Sequence, residues 1–204
     1  MPQSGGKTDI NTLLRKAGIE EATVDAVIRI DALMQNWRRR IMRRELGHKA
    51  LKDLRIGIDL AQFDVLVAIE APVVQFGDSE GETMVATVAE RLGIDPSRAS
   101  RIVSEMVEAG YARRAVSQAD ARRTIIELTD AGQGIIEAVR AYKFLILGDF
   151  IGGWDKQDVE RFVPLLRKFG QWPEHLEAGT NKFADDIALL AQQIAADRKQ
   201  AEPA

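Results

Sequence analysis

The sequence predicts a mainly α-helical protein that carries one small β-hairpin. Three observations lead there. Apolar residues recur at three- and four-residue steps over much of the chain, the period of an amphipathic helix. Between residues 85 and 110, two short helical patterns are separated by LGIDP, whose Gly93, Asp95 and Pro96 are stop and start signals. Just beyond, two segments rich in β-branched and aromatic residues, 111–116 and 124–128, flank the polar stretch SQADARR, the pattern of a hairpin.

Residues 1–9 are polar and Gly-rich, and read as a mobile tail. From 21 to about 45 the positions Val24, Val27, Ile28, Met34, Trp37, Ile41 and Met42 predict one long amphipathic helix. A second helix is expected over 60–71, ended by Pro72 and followed by the Gly- and acid-rich FGDSEGE. A third runs from near Val85 to Gly93. In the fourth, Asp95 is the N-cap and Pro96 the first helical residue, where its missing N–H costs nothing; Gly110 is the C′ residue. After the hairpin, Thr129 precedes a long helix over about 130–150, broken at Gly152-Gly153. Asp155 caps a helix with Val159, Phe162, Val163, Leu166 and Phe169 on one side and a kink expected at Pro164. A last helix covers about 183–198.

Composition narrows the function. The chain has 204 residues, 46% of them apolar, enough for a real core. Its net charge is only −3, so any attraction for nucleic acid must be local. Residues 91–123 are locally basic, with seven Arg against four acids, whereas 174–204 hold six acids against three bases. The absence of cysteine rules out disulfides and thiolate metal sites. His48 and His175 lie in separate segments without carboxylates at ligand spacing, and no Gly-rich phosphate cradle occurs; no catalytic residue, metal or cofactor is expected. Apolar runs fall well short of a membrane span and the N-terminus lacks an apolar signal core, so a soluble, cytoplasmic protein is expected.

On the fourth helix, Ala99, Ile102, Val103, Met106 and Val107 share one arc, which must pack inward. Ser97, Arg98, Ser100, Arg101 and Ser104 then face outward with Glu105 and Glu108. Arg can bond a guanine edge bidentately, and Ser can meet a base edge or a phosphate. The helix N-terminus also favours a phosphate. An ordinary solvated helix face is the alternative. The hairpin adds Arg122 and Arg123 at its tip, with Arg113 and Arg114 on the first strand, and a protruding guanidinium can enter a narrow minor groove. Asp120, two residues before Arg122, is placed to orient it by a carboxylate–guanidinium bond; the alternative is a surface ion pair of little consequence.

These residues together resemble the MarR family of bacterial winged-helix transcriptional regulators over about 60–150. The resemblance rests on LAQFDVLVAI, on Pro96, Ser97, Ser100 and Arg101 opening the reading helix, on D-x-R at Asp120 and Arg122, and on L-T-x-x-G at Leu128, Thr129 and Gly132. It implies a winged helix-turn-helix DNA-binding lobe (59–129) between N-terminal (10–58) and C-terminal (130–204) dimerisation helices. It also implies a homodimer on a palindromic double-stranded operator, in most such regulators a repressor released by a small aromatic ligand. The loop over 73–82 is longer than the family's, and the chain extends past its usual end near Pro173. A twofold axis would set two reading helices one DNA turn apart.

Five arginines, Arg38, Arg39, Arg40, Arg43 and Arg44, crowd the end of the first long helix beside Trp37. Such a run is either a solvated face or the cationic wall of a site. By the resemblance, an effector would sit near Trp37, Arg38, His48 and Phe63, a set suited to an aromatic carboxylate. The competing reading of the chain is a winged-helix protein-interaction module that binds no DNA.

Overall fold

A computed structural model describes residues 9–42, 44–70 and 82–201. In chain order the elements are α1 (Ile10–Lys16), α2 (Glu21–Met42), α3 (Glu45–Asp53), α4 (Leu60–Ile69), α5 (Val85–Leu92) and α6 (Pro96–Glu108). Then come β1 (Ala112–Val116), β2 (Thr124–Leu128), α7 (Asp130–Gly152), α8 (Lys156–Gly170), a 3-10 turn (Trp172–His175), α9 (Leu176–Lys182) and α10 (Ala184–Ala201). They form two compact units, Met1–Arg40 with Trp154–Ala204, and Ile41–Gly153.

The predicted hairpin and the helices around it are present. Several boundaries differ from expectation. The helix expected over 21–45 is α2, which ends at Met42; a further helix, α3, begins at Glu45, with Arg44 between them at φ 51°. A left-handed residue cannot continue a right-handed helix. Arg44 instead forms a two-pronged pair with Asp64 of α4, in which Nη1 lies 2.7 Å from Oδ2. The five-arginine cluster is therefore split, since Arg44 has left the helix that carries Arg38 and Arg39; Arg40 and Arg43 lie outside the residues whose side chains are described. The tail before residue 9 and the FGDSEGE loop up to residue 81 also lie outside the described residues. α1, α3 and α9 are not expected from the sequence pattern, and α8 runs through Pro164 as one helix.

In the first unit Val24 of α2 is buried, while Trp154 and Phe162 meet edge to face at 5.4 Å and Phe169 stacks on Trp172 at 6.4 Å. Much of the apolar surface stays in water: Leu33 on α2, Leu165 on α8 and Leu189 on α10 are all exposed.

The second unit holds the main core. Val65, Leu66 and Ile69 of α4, Val88 and Ala89 of α5, and Ala99, Ile102, Val103 and Met106 of α6 pack with Ala112, Ile126 and Ile136. Leu66 and Ile136 are fully buried, and burying such a side chain stabilises the fold by about 1.5–3 kcal/mol. Ala50, Leu51, Leu60 and Val139 form a second cluster, so α3 and α7 pack into this unit along with residues 59–129. Each helix end has its own chemical cause. Asp59 and Gln62 form a capping box on α4, Asp95 caps α6, and Thr129 caps α7. Gly110 (φ 78°) ends α6 with paired reverse bonds, Gly110 N to Val107 O at 3.1 Å and Tyr111 N to Met106 O at 2.9 Å. β1 and β2 pair antiparallel from Ala112↔Leu128 to Val116↔Thr124, and Ile126 N also donates to Thr83 O at 2.7 Å, which adds Thr83 to the open edge of β2.

Candidate nucleic-acid interface

The core-facing residues of α6 dictate its outer face. With Ala99, Ile102, Val103 and Met106 buried, Ser97, Arg98, Ser100 and Arg101 are exposed and Ser104 is half-buried. Their surroundings differ. Asp95 Oδ1 accepts from Ser97 N at 2.8 Å and Arg98 N at 3.4 Å, and it also takes the Ser97 hydroxyl proton. The Ser97 hydroxyl, followed by these two amides, holds the Asp95 carboxyl below its ordinary pKa. A carboxylate thus already occupies two of the amides at this helix end.

Arg101, 69% exposed, lies 3.2 Å from Glu105 one turn on. Glu105 is held in turn by Gln62 Nε2 of α4 at 3.1 Å, and Gln62 belongs to the capping box with Asp59. The guanidinium is thus oriented along the helix by a chain of contacts rooted in α4. Arg98 borders a cavity of about 140 Å³ with the Arg44–Asp64 pair, Leu92, Ile94 and Ile102.

The hairpin is joined to this face. Arg114 Nη2 on β1 donates to Ser104 Oγ at 3.1 Å, which ties the wing's first strand to the outward side of α6. Arg113, by contrast, pairs across the sheet with Glu127 at 2.9 Å. Beyond the strands the chain closes tightly: Ser117 N donates to Arg123 O and Arg123 N to Asp120 O, each at 2.9 Å. Ser117 Oγ accepts from Ala119 N at 3.1 Å and Asp120 N at 2.9 Å. The expected Asp120–Arg122 ion pair does not form among the described residues. Asp120 Oδ1 instead accepts from the backbone N of Arg122 at 3.0 Å, because a carboxylate two residues upstream reaches the amide most readily as an Asx-turn. It shapes the tip and leaves the guanidinium free to project. Arg122 and Arg123 are both exposed there.

Sequence reasoning missed the contacts that Gln62, Glu82 and Ser117 make and passed over Arg114 as a site residue. For Ser117 a signal existed, since S-x-x-D at a hairpin end favours a side chain that accepts the next amides. For Gln62 and Glu82 none did, because their partners lie 43 and 36 residues away.

The residues expected around an effector divide between the two units. Trp37 and Arg38 are exposed on α2, with Trp37 51% exposed, and His48 is exposed on α3. Phe63 is half-buried and packs against both apolar clusters of the second unit, so it serves the core.

Residues 74–123 match the sequence profile of the MarR family. A MarR family protein from Bacillus stearothermophilus superposes with a TM-score of 0.60 at 20% identity, covering 74% of this chain and 96% of its own. The fold is that of the MarR transcription regulators. A MarR family regulator designated SP03579 superposes with a TM-score of 0.55 at 21% identity, over 74% of this chain and 97% of its own. The transcriptional regulator Tm0710 from Thermotoga maritima does so at 0.50 and 23% identity, over 71% of this chain and 98% of its own. No curated protein sequence matches. In MarR terms α5 and α6 are the helix-turn-helix and β1–β2 the wing, and almost the whole of each relative fits within this longer chain. No helix among the described residues is long and apolar enough to cross a membrane.

Proposed function

We propose that this protein is a sequence-specific DNA-binding transcription regulator, a repressor rather than an enzyme, that acts in the cytoplasm as a homodimer on a palindromic operator. The observation that carries the reading is the Arg114–Ser104 bond, which joins the outward face of α6 and the arginine-tipped wing into one surface. On it, Arg101 and Ser100 are offered to a major groove, with Ser104, Arg98 and Ser97 beside them, while Arg122 and Arg123 extend toward a minor groove or the phosphates. A module that only bound proteins would have no use for this row of exposed guanidiniums. Binding of duplex from the gene's own upstream region, followed by gel shift across a salt series, tests it, because phosphate contacts make affinity fall steeply with salt. Arg101→Ala costs about 1–3 kcal/mol and relaxes base choice, and Arg122→Ala weakens binding more evenly across sequences. Unchanged affinity in both variants, or no duplex bound at low salt, refutes the reading.

Apolar side chains without cover support the homodimer. Phe144, Leu145, Ile146 and Leu147 on the second half of α7 are exposed, Leu145 at 73%, as are Leu33 and Trp37 on α2. Exposed apolar side chains in such number mark a contact with another chain. Sedimentation that finds a dimer, and a monomer on Leu145→Glu, fits; a monomeric wild-type protein at micromolar concentration does not. For the effector we propose an aromatic carboxylate, supported by the exposed Trp37 and the cation of Arg38 next to it in sequence on α2. Titration with benzoate- and cinnamate-type acids, read by Trp fluorescence and operator release, gives a saturable response if this holds and none if it fails.

A further inference from the structure

We propose that Glu82 is a positioning residue for the wing: from the chain that leads into α5 it holds the loop 117–120, and through it the wing-tip arginines, in the pose that meets DNA. The inference rests on the regulator reading above. Gln118 N donates to Glu82 Oε1 at 2.7 Å, a short charge-assisted bond across 36 residues of sequence. Ser117 is buried, and its Oγ already accepts from two amides, so its own proton needs an acceptor. The carboxylate of Glu82 provides one. That bond, followed by the amides of Gln118 and Ala119 and the nearby charge of Arg123, holds the Glu82 carboxyl below its ordinary pKa.

Glu82 stands on backbone that is itself fixed. The next residue, Thr83, is buried; its carbonyl accepts from Ile126 N of β2 at 2.7 Å. Its hydroxyl donates to Ile69 O at 3.4 Å and accepts from Arg91 at 3.0 Å. Arg91 also donates to Ala68 O at 2.6 Å, so α4, α5 and β2 meet at this point. A loop whose other amides are satisfied by its own Ser117 and Asp120 still needs one bond to the body of the lobe to fix its direction. Glu82 supplies it. A carboxylate near a DNA-facing loop would repel phosphate, and here donors from the loop occupy it.

The test combines exchange with binding in the full chain. In the free protein, Glu82→Ala speeds amide hydrogen exchange at Gln118, Ala119 and Asp120 by about tenfold or more and leaves the thermal midpoint near that of the wild type. Operator affinity falls about five- to tenfold, the scale of one lost charge-assisted bond, and Glu82→Gln, which keeps one acceptor oxygen, restores part of it. Arg122→Ala then costs much less on the Glu82→Ala background than alone, because both act through the same loop. Unchanged exchange at Gln118–Asp120, or losses that simply multiply in the double variant, overturns the proposal. If the wild-type protein binds no duplex, the regulator reading falls, while the exchange experiment still decides whether Glu82 holds the loop.

Discussion

Gly132 and Gly134 lie two residues apart at the start of α7, and the same substitution at each should change stability in opposite directions. A Cβ at Gly132 would stand 2.0 Å from the carbonyl oxygen of Tyr111, 3.0 Å from its carbon and 3.3 Å from Leu128 Cδ2. The obstacle is backbone, and it cannot rotate away as a side chain could. Relief requires more than 1 Å of separation between α7 and the turn joining α6 to β1, roughly the difference between 2.0 Å and ordinary contact. Thr129 N bonds Tyr111 O at 3.1 Å and Thr129 Oγ1 bonds Gly110 O at 2.7 Å, so the separation strains both. Two hydrogen bonds at about 1 kcal/mol each, with some loss of packing around Ile136, outweigh the gain of at most about 1 kcal/mol from replacing Gly by Ala in a helix. Gly132→Ala is expected to destabilise by about 2–4 kcal/mol. At Gly134 nothing lies within 4 Å, so only the helix-propensity gain remains and Gly134→Ala should stabilise by up to about 1 kcal/mol. Urea unfolding followed by circular dichroism measures both. A Gly132→Ala protein as stable as the wild type would refute the close approach, and a destabilised Gly134→Ala protein would refute the open space.

Arg55, at φ 54°, ends α3 in the left-handed region, with Arg55 N on Lys52 O and Ile56 N on Leu51 O; Arg55→Gly keeps both bonds and is expected to raise stability by about 1 kcal/mol in the same unfolding assay. Arg140 pairs with the largely buried Glu70 at 2.6 Å, so Arg140→Met leaves that carboxylate with Gln133 alone and should cost about 1–2 kcal/mol, read as a lower urea midpoint. Ile102→Ala opens a hole beneath the reading helix and is expected to cost about 2–5 kcal/mol, visible as a lowered melting temperature. The Asp95 carboxyl titrates below its unfolded value, so its contribution is complete above the ordinary carboxylate range and is lost as the pH falls through its lower folded pKa. Asp95→Asn should therefore flatten the acid limb of the stability–pH curve; an unchanged limb would show that the cap does not contribute.

By itself the sequence determined the elements whose causes are local. Asp95 and Pro96 open α6 and Gly110 closes it, and the spacing of Ala99, Ile102, Val103 and Met106 says which side of it turns outward. Thr129 and the β-branched residues in 124–128 likewise belong to short stretches of chain. Period and capping act over one or two turns, so they can be read without knowing the fold. The tertiary structure alone decided what depends on distant partners. Arg44 leaves the helical path in company with Asp64, twenty residues on, which ends the long helix and takes Arg44 out of the arginine run that the sequence shows. Asp120 bonds an amide rather than the guanidinium, Arg114 reaches Ser104, Gln62 holds Glu105, and Glu82 takes the amide of Gln118. Phe63, which looked like a ligand's aromatic wall, is packed between two apolar clusters. Each of these turns on which of several nearby donors and acceptors is within reach, and that competition is settled only when the elements pack.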